Sequence, residues 1–254
     1  LQILEKDHQE KKSSIVTIYG RRRIGKSQLV LHFTKGKPCL CIEALERQHT
    51  PQQIKHFKNQ MASQLNDTLL KSADLRSWEQ VFDYLTAVKE KQKSKMIWFF
   101  DEFQWMAAQK TLLVSLFKKY WDQYWSKCNV TIILCGSISS FMVKKVIKSK
   151  ALYGRINLEL NIGPLSWSDC RQFLPNRNEQ EVFKYYLTFG GVPKYWTLLA
   201  SNKSYQQNVE NLLLQKEGYL FNDYEKIFFS QFKEPKTYEL IVNALIQGPL
   251  NLEE

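Results

Sequence analysis

A glycine-rich segment near the amino terminus combines the residue types that bind phosphate. Residues 20–27 read GRRRIGKS, which is the spacing G-x-x-x-x-G-K-S. The glycines allow a turn whose backbone N–H groups converge on phosphate oxygens, the lysine reaches the β- and γ-phosphates, and the hydroxyl after it can bind Mg²⁺. We therefore predict a nucleotide site formed by Gly20, Arg21, Arg22, Arg23, Ile24, Gly25, Lys26, Ser27 and Gln28.

The flanking residues have the patterns that such a loop needs. Residues 15–19 (IVTIY) form an apolar run typical of a strand, and residues 27–33 (SQLVLHF) repeat apolar positions at helical spacing. The motif binds phosphate only as a turn from a strand into a helix. The alternative is a glycine-containing surface turn. The three arginines could screen phosphate charge, face a partner or lie in solvent.

Two acidic residues close a second apolar run. Residues 96–100 (MIWFF) are continuously apolar, as a strand buried on both faces of a parallel sheet requires, and Asp101 and Glu102 follow. Ligands of such sheets bind beyond the carboxyl ends of the strands. We predict that Asp101 binds Mg²⁺, directly or through water, and that Glu102 orients and polarises an attacking water molecule. The alternative is that both acids merely end a strand.

Two more side chains are candidates for contact with the γ-phosphate. Ser137 follows the apolar run 130–135 and could bind the γ-phosphate or the attacking water, although capping the next helix is an equally good role for it. Arg155 could stabilise charge on a transferring phosphoryl group, or it could form an ordinary salt bridge.

Strand-like and helical patterns alternate through the first 160 residues. Strands are predicted at 15–19, 39–42, 96–100, 130–135 and 156–160, the last as an edge strand, with helices between them at 51–70, 78–88 and 110–125. Ser77 has the position of a helix N-cap, with Gln80 three residues later. Beyond Pro164 only helical patterns follow, at 166–174, 179–189, 193–200, 205–214 and 235–246. These patterns predict an α/β core with a parallel sheet and a helical region after it.

Composition bounds the class of protein and its partners. The 254 residues are 44% hydrophobic, which excludes a disordered or collagen-like chain, and 36 basic against 25 acidic residues give a net charge of +11. This charge is compatible with binding DNA or an acidic protein, and equally with solubility alone. We find no apolar stretch near the roughly 18 residues of a membrane helix and no signal peptide, and we expect a cytoplasmic protein without a membrane partner.

The five cysteines show no pattern of metal ligands. They lie at positions 39, 41, 128, 135 and 170, and the four histidines show no ligand spacing. We expect Cys39 and Cys41 to lie on opposite faces of a strand, which would make a shared metal difficult. The sequence therefore predicts reduced thiols, a reducing compartment and no structural zinc.

Taken together, six short segments resemble the archaeal-type ATPase family, one of the AAA-like and STAND P-loop ATPases. In chain order they are 20–27 (GRRRIGKS), 100–104 (FDEFQ), 135–137 (CGS), 152–155 (LYGR), 163–166 (GPLS) and 190–195 (GGVPKY). The resemblance implies a three-layer αβα core at 1–164, an all-helical lid at 165–234 and the beginning of a winged-helix domain at 235–254. It also implies ATP rather than GTP, and no N-K-x-D guanine-reading motif occurs in the chain.

The resemblance also extends the predicted site. A G-x-P segment in the lid of similar proteins lies near the nucleotide, which implies a contact from Pro193. Related proteins place a γ-phosphate-sensing arginine in the lid, where this chain has Lys194. Arg155 would act within its own subunit or on a neighbour in a nucleotide-dependent oligomer.

These observations favour an Mg²⁺-dependent ATPase in which Lys26 holds phosphate, Ser27 and Asp101 hold the metal, and Glu102, Ser137 and Arg155 act on the γ-phosphate. A second hypothesis is a nucleotide-controlled switch that hydrolyses ATP negligibly and recruits protein or DNA. A third, a small-molecule phosphotransferase, fits less well because the adjacent acids suit activation of water.

Overall fold

The computed structural model describes residues 1–107, 111–137, 139–231, 234–246 and 248–249. The chain divides into two compact units, Leu1–Gly163 and Pro164–Glu254. Lys110, the predicted first residue of a helix, and residues 250–254 of the predicted winged-helix segment lie outside the described residues. Among those residues, none of the helices combines the length and apolar character that crossing a bilayer requires.

The first unit alternates strands and helices along the chain. Its strands are β1 (Ser14–Tyr19), β2 (Cys39–Glu43), β3 (Met96–Asp101), β4 (Val130–Gly136) and β5 (Ile156–Asn161). Its helices are α1 (Gln2–Gln9), α2 (Lys26–Thr34), α3 (Thr50–Leu65), α4 (Thr68–Ser72), α5 (Trp78–Lys91), α6 (Phe103–Ala107), α7 (Thr111–Gln123) and α8 (Ser139–Phe141), with a 3-10 turn at Trp125–Lys127 and a π-helical segment at Met142–Ile147.

The five strands form one parallel sheet in the order β2-β3-β4-β1-β5. This confirms the predicted α/β class with a parallel sheet. β4 lies between β1 and β3, so the strand that ends before Ser137 separates the glycine-rich loop from the acidic pair. β5 is an edge strand, as its alternating sequence predicts, and only every second side chain of it is half-buried.

Helices cover both faces of the sheet. On one face Trp98 and Phe100 of β3 pack with α3, α5, α7 and the 3-10 turn. Phe82 of α5, Phe117 of α7 and Trp125 of the turn form an aromatic cluster there, with ring centroids 5.1–5.6 Å apart. On the other face the alternate strand residues, such as Ile97 and Phe99, pack against α1 and α2. The result is a three-layer αβα arrangement. Ser77 caps α5 as predicted, because its hydroxyl accepts the Gln80 N–H at 3.3 Å.

Glutamine side chains of α3 cover the free edge of β2. Gln64 accepts the Cys41 N–H at 2.9 Å and donates to its carbonyl oxygen at 2.7 Å. Gln60 makes the same pair of hydrogen bonds with Glu43, at 3.0 and 2.9 Å. Gln53 repeats it two residues further on with Leu45, at 3.0 and 2.6 Å. We call these three side chains the glutamine edge; they satisfy the groups that a sixth strand would otherwise bind.

The expected separation of Cys39 and Cys41 is wrong. Their Sγ atoms lie 3.1 Å apart, and both side chains pack on the face that α1 and α2 cover. The reason is elementary strand geometry: consecutive side chains alternate between faces, so residues two apart share one. Among the described residues, all five cysteines are free thiols.

The second unit is helical. Its helices are α9 (Trp167–Cys170), α10 (Glu179–Phe189), α11 (Pro193–Trp196), α12 (Tyr205–Val209), α13 (Asp223–Gln231) and α14 (Pro235–Leu245), with a 3-10 turn at Arg171–Phe173 and a π-helical segment at Glu210–Leu214. Its core forms around Tyr185, Phe189 and Trp196. Asn208 is buried in this core, and its side-chain amide donates to the Tyr185 hydroxyl at 3.0 Å. The domain boundaries at 164 and 234 and the winged-helix assignment stay predictions.

Candidate functional site

The glycine-rich loop joins β1 to α2 with an unusual backbone. Gly20 has φ +152°, and a Cβ there would lie 2.2 Å from the carbonyl oxygen of Ile162, so the residue after Tyr19 must be small. Gly25 has φ +87°, a Cβ there would meet no atom within 4 Å, and the residue directly precedes α2. Within the described residues no side chain caps α2 and its first turn holds no acid. The uncapped amides suit an anion.

The Lys26 side chain folds back over the glycine-rich loop that precedes α2. The side chain is only 6% exposed, and Nζ donates a hydrogen bond of 2.8 Å to the carbonyl oxygen of Arg21. Ser27 is half-buried, and Ile24 is buried. Arg22 forms a salt bridge of 3.3 Å with Glu46, so one of the three arginines points to a partner within its own unit.

The two acids follow one another where β3 ends. Asp101 is the last residue of the strand, and its Oδ1 accepts the backbone N–H of Glu102 at 2.9 Å. Glu102 has φ +51°, so the chain turns sharply at this residue, and its carbonyl oxygen accepts the Trp105 N–H at 2.8 Å. A non-glycine residue in the left-handed region is uncommon, and such residues cluster at functional sites.

Glu102, Gln104 and Ser137 form one hydrogen-bonded group, which we call the acid cluster. The Ser137 hydroxyl donates to Glu102 Oε2 at 2.7 Å, and the Gln104 amide donates to the same oxygen and lies 3.1 Å from Ser137 Oγ. Gln104 and Ser137 are 1% and 7% exposed, whereas Glu102 is half-buried, so two buried polar groups hold a carboxylate that solvent can still reach. The predicted general base and the predicted γ-phosphate sensor are therefore direct neighbours.

Gln104 is the one residue of this group for which the sequence predicts no role. It lies two residues after Glu102, in α6, and Gly136 makes room for it because a Cβ at Gly136 would lie 2.7 Å from Gln104 Oε1. The usable signal was an amide two residues after an acid pair, together with a glycine immediately before Ser137. Neither feature indicates a site by itself, because local sequence patterns do not reveal that β3 and β4 are neighbours in the sheet.

Cys135 connects the acids electrostatically with the loop. The residue is fully buried in β4, next to both β1 and β3. Burial raises the pKa of the Cys135 thiol well above its usual value, the negative charge of Asp101 raises it further, and the positive charge of Lys26 opposes the rise. The Cys135 thiol therefore responds to a charge from the end of β3 and to one from the start of α2.

Arg155 does not lie with the other candidate residues. It directly precedes β5, whose first residue Ile156 pairs with Ile15 near the start of β1. The loop begins five residues later along β1, which corresponds to about 16 Å of strand. Arg155 instead makes two hydrogen bonds to Asp122, of 2.7 and 2.8 Å, which lower the pKa of that carboxyl. This position gives no support to a role on the γ-phosphate of its own subunit.

Pro193 belongs to the second unit, where it is the first residue of α11. Gly191, two residues before Pro193, packs closely against the backbone of Leu165. A Cβ at Gly191 would lie 2.1 Å from the Leu165 carbonyl oxygen. The Leu165 N–H in turn donates to the Gly191 carbonyl at 2.8 Å. The G-x-P segment is thus held tightly within its own unit, and the nucleotide contact of Pro193 stays a prediction.

The sheet order, the loop and the acids at the end of β3 define a P-loop ATPase core. A family model described as an ATPase domain predominantly from Archaea matches residues 1–199, and the chain belongs to that family. It is 29% identical over 240 residues to an uncharacterized protein of Methanocaldococcus jannaschii. That alignment covers 94% of this chain but 51% of the relative, so the chain spans about half the length of the curated relative.

Solved structures share the fold. The Walker-type ATPase of Pyrococcus abyssi is similar with a TM-score of 0.57 and 21% identity, covering 92% of this chain and 70% of that one. The ADP form of the Aeropyrum pernix ORC2 protein has a TM-score of 0.55 and 15% identity, covering 78% of this chain and 59% of that one. At these identities the likeness concerns the fold alone.

Proposed function

We propose that this chain binds ATP with Mg²⁺ and hydrolyses it to ADP and phosphate. The observation that carries the proposal is the acid cluster beside a P-loop: a carboxylate, fixed by a hydroxyl and an amide, at the edge of the sheet where the loop also lies. An oriented carboxylate is what activation of a water molecule requires.

The donor groups fit magnesium. Ser27 and Asp101 offer a hydroxyl and a carboxylate, and Mg²⁺ prefers oxygen ligands and usually keeps several waters beside one or two carboxylates and the substrate phosphates. Within the described residues no group of three or more histidine, cysteine or acidic side chains competes for a metal. When bound, the metal would neutralise charge that develops on the phosphates.

Each residue of the proposed site then has a defined role. The amides at the start of α2 bind phosphate oxygens, and Lys26 exchanges the Arg21 carbonyl for phosphate as its hydrogen-bond acceptor. Glu102 accepts a proton from the attacking water, while Ser137 and Gln104 keep its carboxylate oriented. We assign water as the acceptor of the phosphoryl group because Glu102 can act as its general base.

Two variants test this assignment. Lys26→Ala removes a charge-assisted contact worth roughly 1.5–3 kcal/mol, so ATP affinity measured by titration calorimetry falls about 10- to 150-fold. Glu102→Gln leaves ATP affinity near that of the wild type and stops phosphate release. The exposed residues Lys118 and Glu159 provide matched controls, since Lys118→Ala and Glu159→Gln change the same charges elsewhere. Wild-type turnover in Glu102→Gln contradicts the role of Glu102.

The same assay separates hydrolysis from a nucleotide-gated switch. Steady-state phosphate release is measured with and without DNA, and bound nucleotide is identified after purification. Turnover supports the ATPase proposal, whereas tightly held ADP without turnover under either condition supports the switch.

We propose DNA as the partner of a group of exposed lysines. The net charge is +11, and Lys144, Lys145, Lys148 and Lys150 are all exposed in and after the π-helical segment. A structure similar in fold, the Aeropyrum pernix ORC1 protein, was solved in complex with DNA; the TM-score is 0.50 and the identity 12%, covering 96% of this chain and 72% of that one. Binding that weakens steeply with salt, and weakens further when these lysines are replaced, is the expected result.

Of the two roles open to Arg155, we propose action on the nucleotide of a neighbouring subunit, because the residue lies away from the loop of its own chain. Light scattering with an ATP analogue should show assembly. Mixing Arg155→Ala with Lys26→Ala should restore part of the turnover that each variant lacks, since one contributes the intact loop and the other the intact arginine. No recovery in a mixed oligomer contradicts this assignment.

A further inference from the structure

Cys39 and Cys41 form a dithiol on the edge strand β2. Their Sγ atoms are 3.1 Å apart, and both side chains are half-buried. The remaining thiols differ from this pair: Cys135 and Cys170 are buried, and Cys128 donates to the backbone carbonyl of Tyr124 at 3.1 Å. Two thiols in direct contact are an arrangement with chemistry of its own, which a single cysteine does not have.

The two sulfur atoms are chemically unequal. The contact between the two sulfur atoms lowers the pKa of the Cys41 thiol, while the same contact and burial raise the pKa of Cys39. The hydroxyl of Thr34, at the end of α2, lowers the pKa of both. A thiolate is the nucleophile in thiol–disulfide exchange, so Cys41 is suited to attack first and Cys39 to resolve.

The backbone around the pair permits a bond without making it favourable. Residues two apart on a strand have Cα atoms about 6.6–6.8 Å apart, which is at the long end of the range that a disulfide spans. β2 has a strand neighbour on one side only, so a local bend disturbs one ladder and the two hydrogen bonds that the exposed Gln64 side chain makes with Cys41. A disulfide formed with strain is more easily reduced, which is a property of reversible rather than structural bonds.

We propose that Cys39 and Cys41 are a reversible redox site that exchanges with a small-molecule disulfide of the glutathione type. The Cys41 thiolate attacks one sulfur of the disulfide, which forms a mixed disulfide and releases one thiolate. Cys39 then loses its proton to solvent and attacks Cys41 Sγ, which releases the second thiolate. The protein loses two electrons and two protons, and the small disulfide becomes two thiols. This proposal stands independently of nucleotide hydrolysis.

The test uses the wild-type chain equilibrated with reduced and oxidised glutathione at several ratios. After acid quenching and alkylation, trypsin leaves both cysteines in the peptide of residues 36–47, because the bond after Lys37 precedes proline. As the ratio becomes oxidising, this peptide should lose both alkyl groups and become lighter by two hydrogens relative to its reduced, unalkylated form. Double alkylation at every ratio overturns the proposal, and so does glutathione that stays on either residue without an intrachain bond.

Variants identify the order of attack. Cys39→Ser should trap glutathione on Cys41, and Cys41→Ser should trap it on Cys39 more slowly, because burial raises the pKa of the Cys39 thiol and so lowers its thiolate fraction. Cys128→Ser is the matched control, since it removes a half-buried thiol outside the pair and should leave the bond between Cys39 and Cys41 unchanged. Equal reaction rates in Cys39→Ser and Cys41→Ser overturn the assigned order of attack.

Discussion

Gly20 offers the sharpest test of how the loop is attached to the sheet. In Gly20→Ala the new Cβ would lie 2.2 Å from the Ile162 carbonyl oxygen and 2.6 Å from Cδ1 of Ile24. The Ile24 methyl can move, because it ends a flexible side chain. The Ile162 oxygen cannot move as easily, because the N–H of the same residue is hydrogen-bonded to Tyr19 at 2.8 Å in continuation of the β1–β5 ladder.

Two costs add in this variant. A left-handed backbone costs an L-residue roughly 1–2 kcal/mol, and overpacking costs roughly 1–3 kcal/mol, so the free energy of unfolding should fall by about 2–5 kcal/mol. Gly36→Ala separates the two terms, because Gly36 has φ +73° but nothing within 4 Å of its Cβ position. It should lose only the backbone term. Gly163→Ala, with space and no positive φ, should change little.

Urea unfolding followed by circular dichroism measures the series. At a slope of about 2–3 kcal/mol per molar urea, the midpoint of Gly20→Ala falls by about 1–2 M and that of Gly36→Ala by about half a molar. Equal midpoints for Gly20→Ala and Gly36→Ala would refute the reasoning, because the contact with Ile162 would then contribute nothing.

Three further outcomes follow from the described contacts. Gln104→Leu removes a hydrogen bond to a charged group from the acid cluster, so kcat should fall about tenfold or more while KM for ATP stays unchanged; a change in KM alone contradicts this. Burial lowers the pKa of His8, so the unfolded chain binds a proton more readily than the folded chain, and stability is lost as the pH falls below about 6.5. The melting temperature of His8→Gln should not show this loss. That of His32→Gln, which changes an exposed histidine, should still show it. Gln53→Ala should destabilise more than Gln64→Ala in urea, because Gln53 is 4% exposed and water cannot replace its hydrogen bonds to the strand. Equal losses would mean that the buried position matters no more than the exposed one.

Local patterns predicted much of the core. The loop at residues 20–27, the apolar run before Asp101 and the edge character of β5 each depend on neighbouring residues only, so spacing reveals them. Strand order does not, because five parallel strands can be arranged in many ways. Placing β4 between β1 and β3 is what brings Ser137 to Glu102.

The remaining differences have distinct physical reasons. The left-handed turn at Glu102 has no sequence signature, since glutamate rarely adopts it. The charge of Arg155 suggests a contact with phosphate, but the distance of the residue from the loop depends on where β5 begins relative to β1. The error at Cys39 and Cys41 came from a misapplied strand period, and correct use of the same rule would have paired them.

The glutamine edge has a consequence for solubility. Sheets with an open border recruit strands from other molecules, and this chain shields that border with side chains from a single helix rather than with a strand. Any event that detaches α3 would therefore expose the unpaired backbone groups of β2, which can bind a strand of another molecule, while the rest of the sheet is still intact. Aggregation on mild heating would then begin below the melting temperature of the whole unit, because local unfolding of one helix is enough to start it.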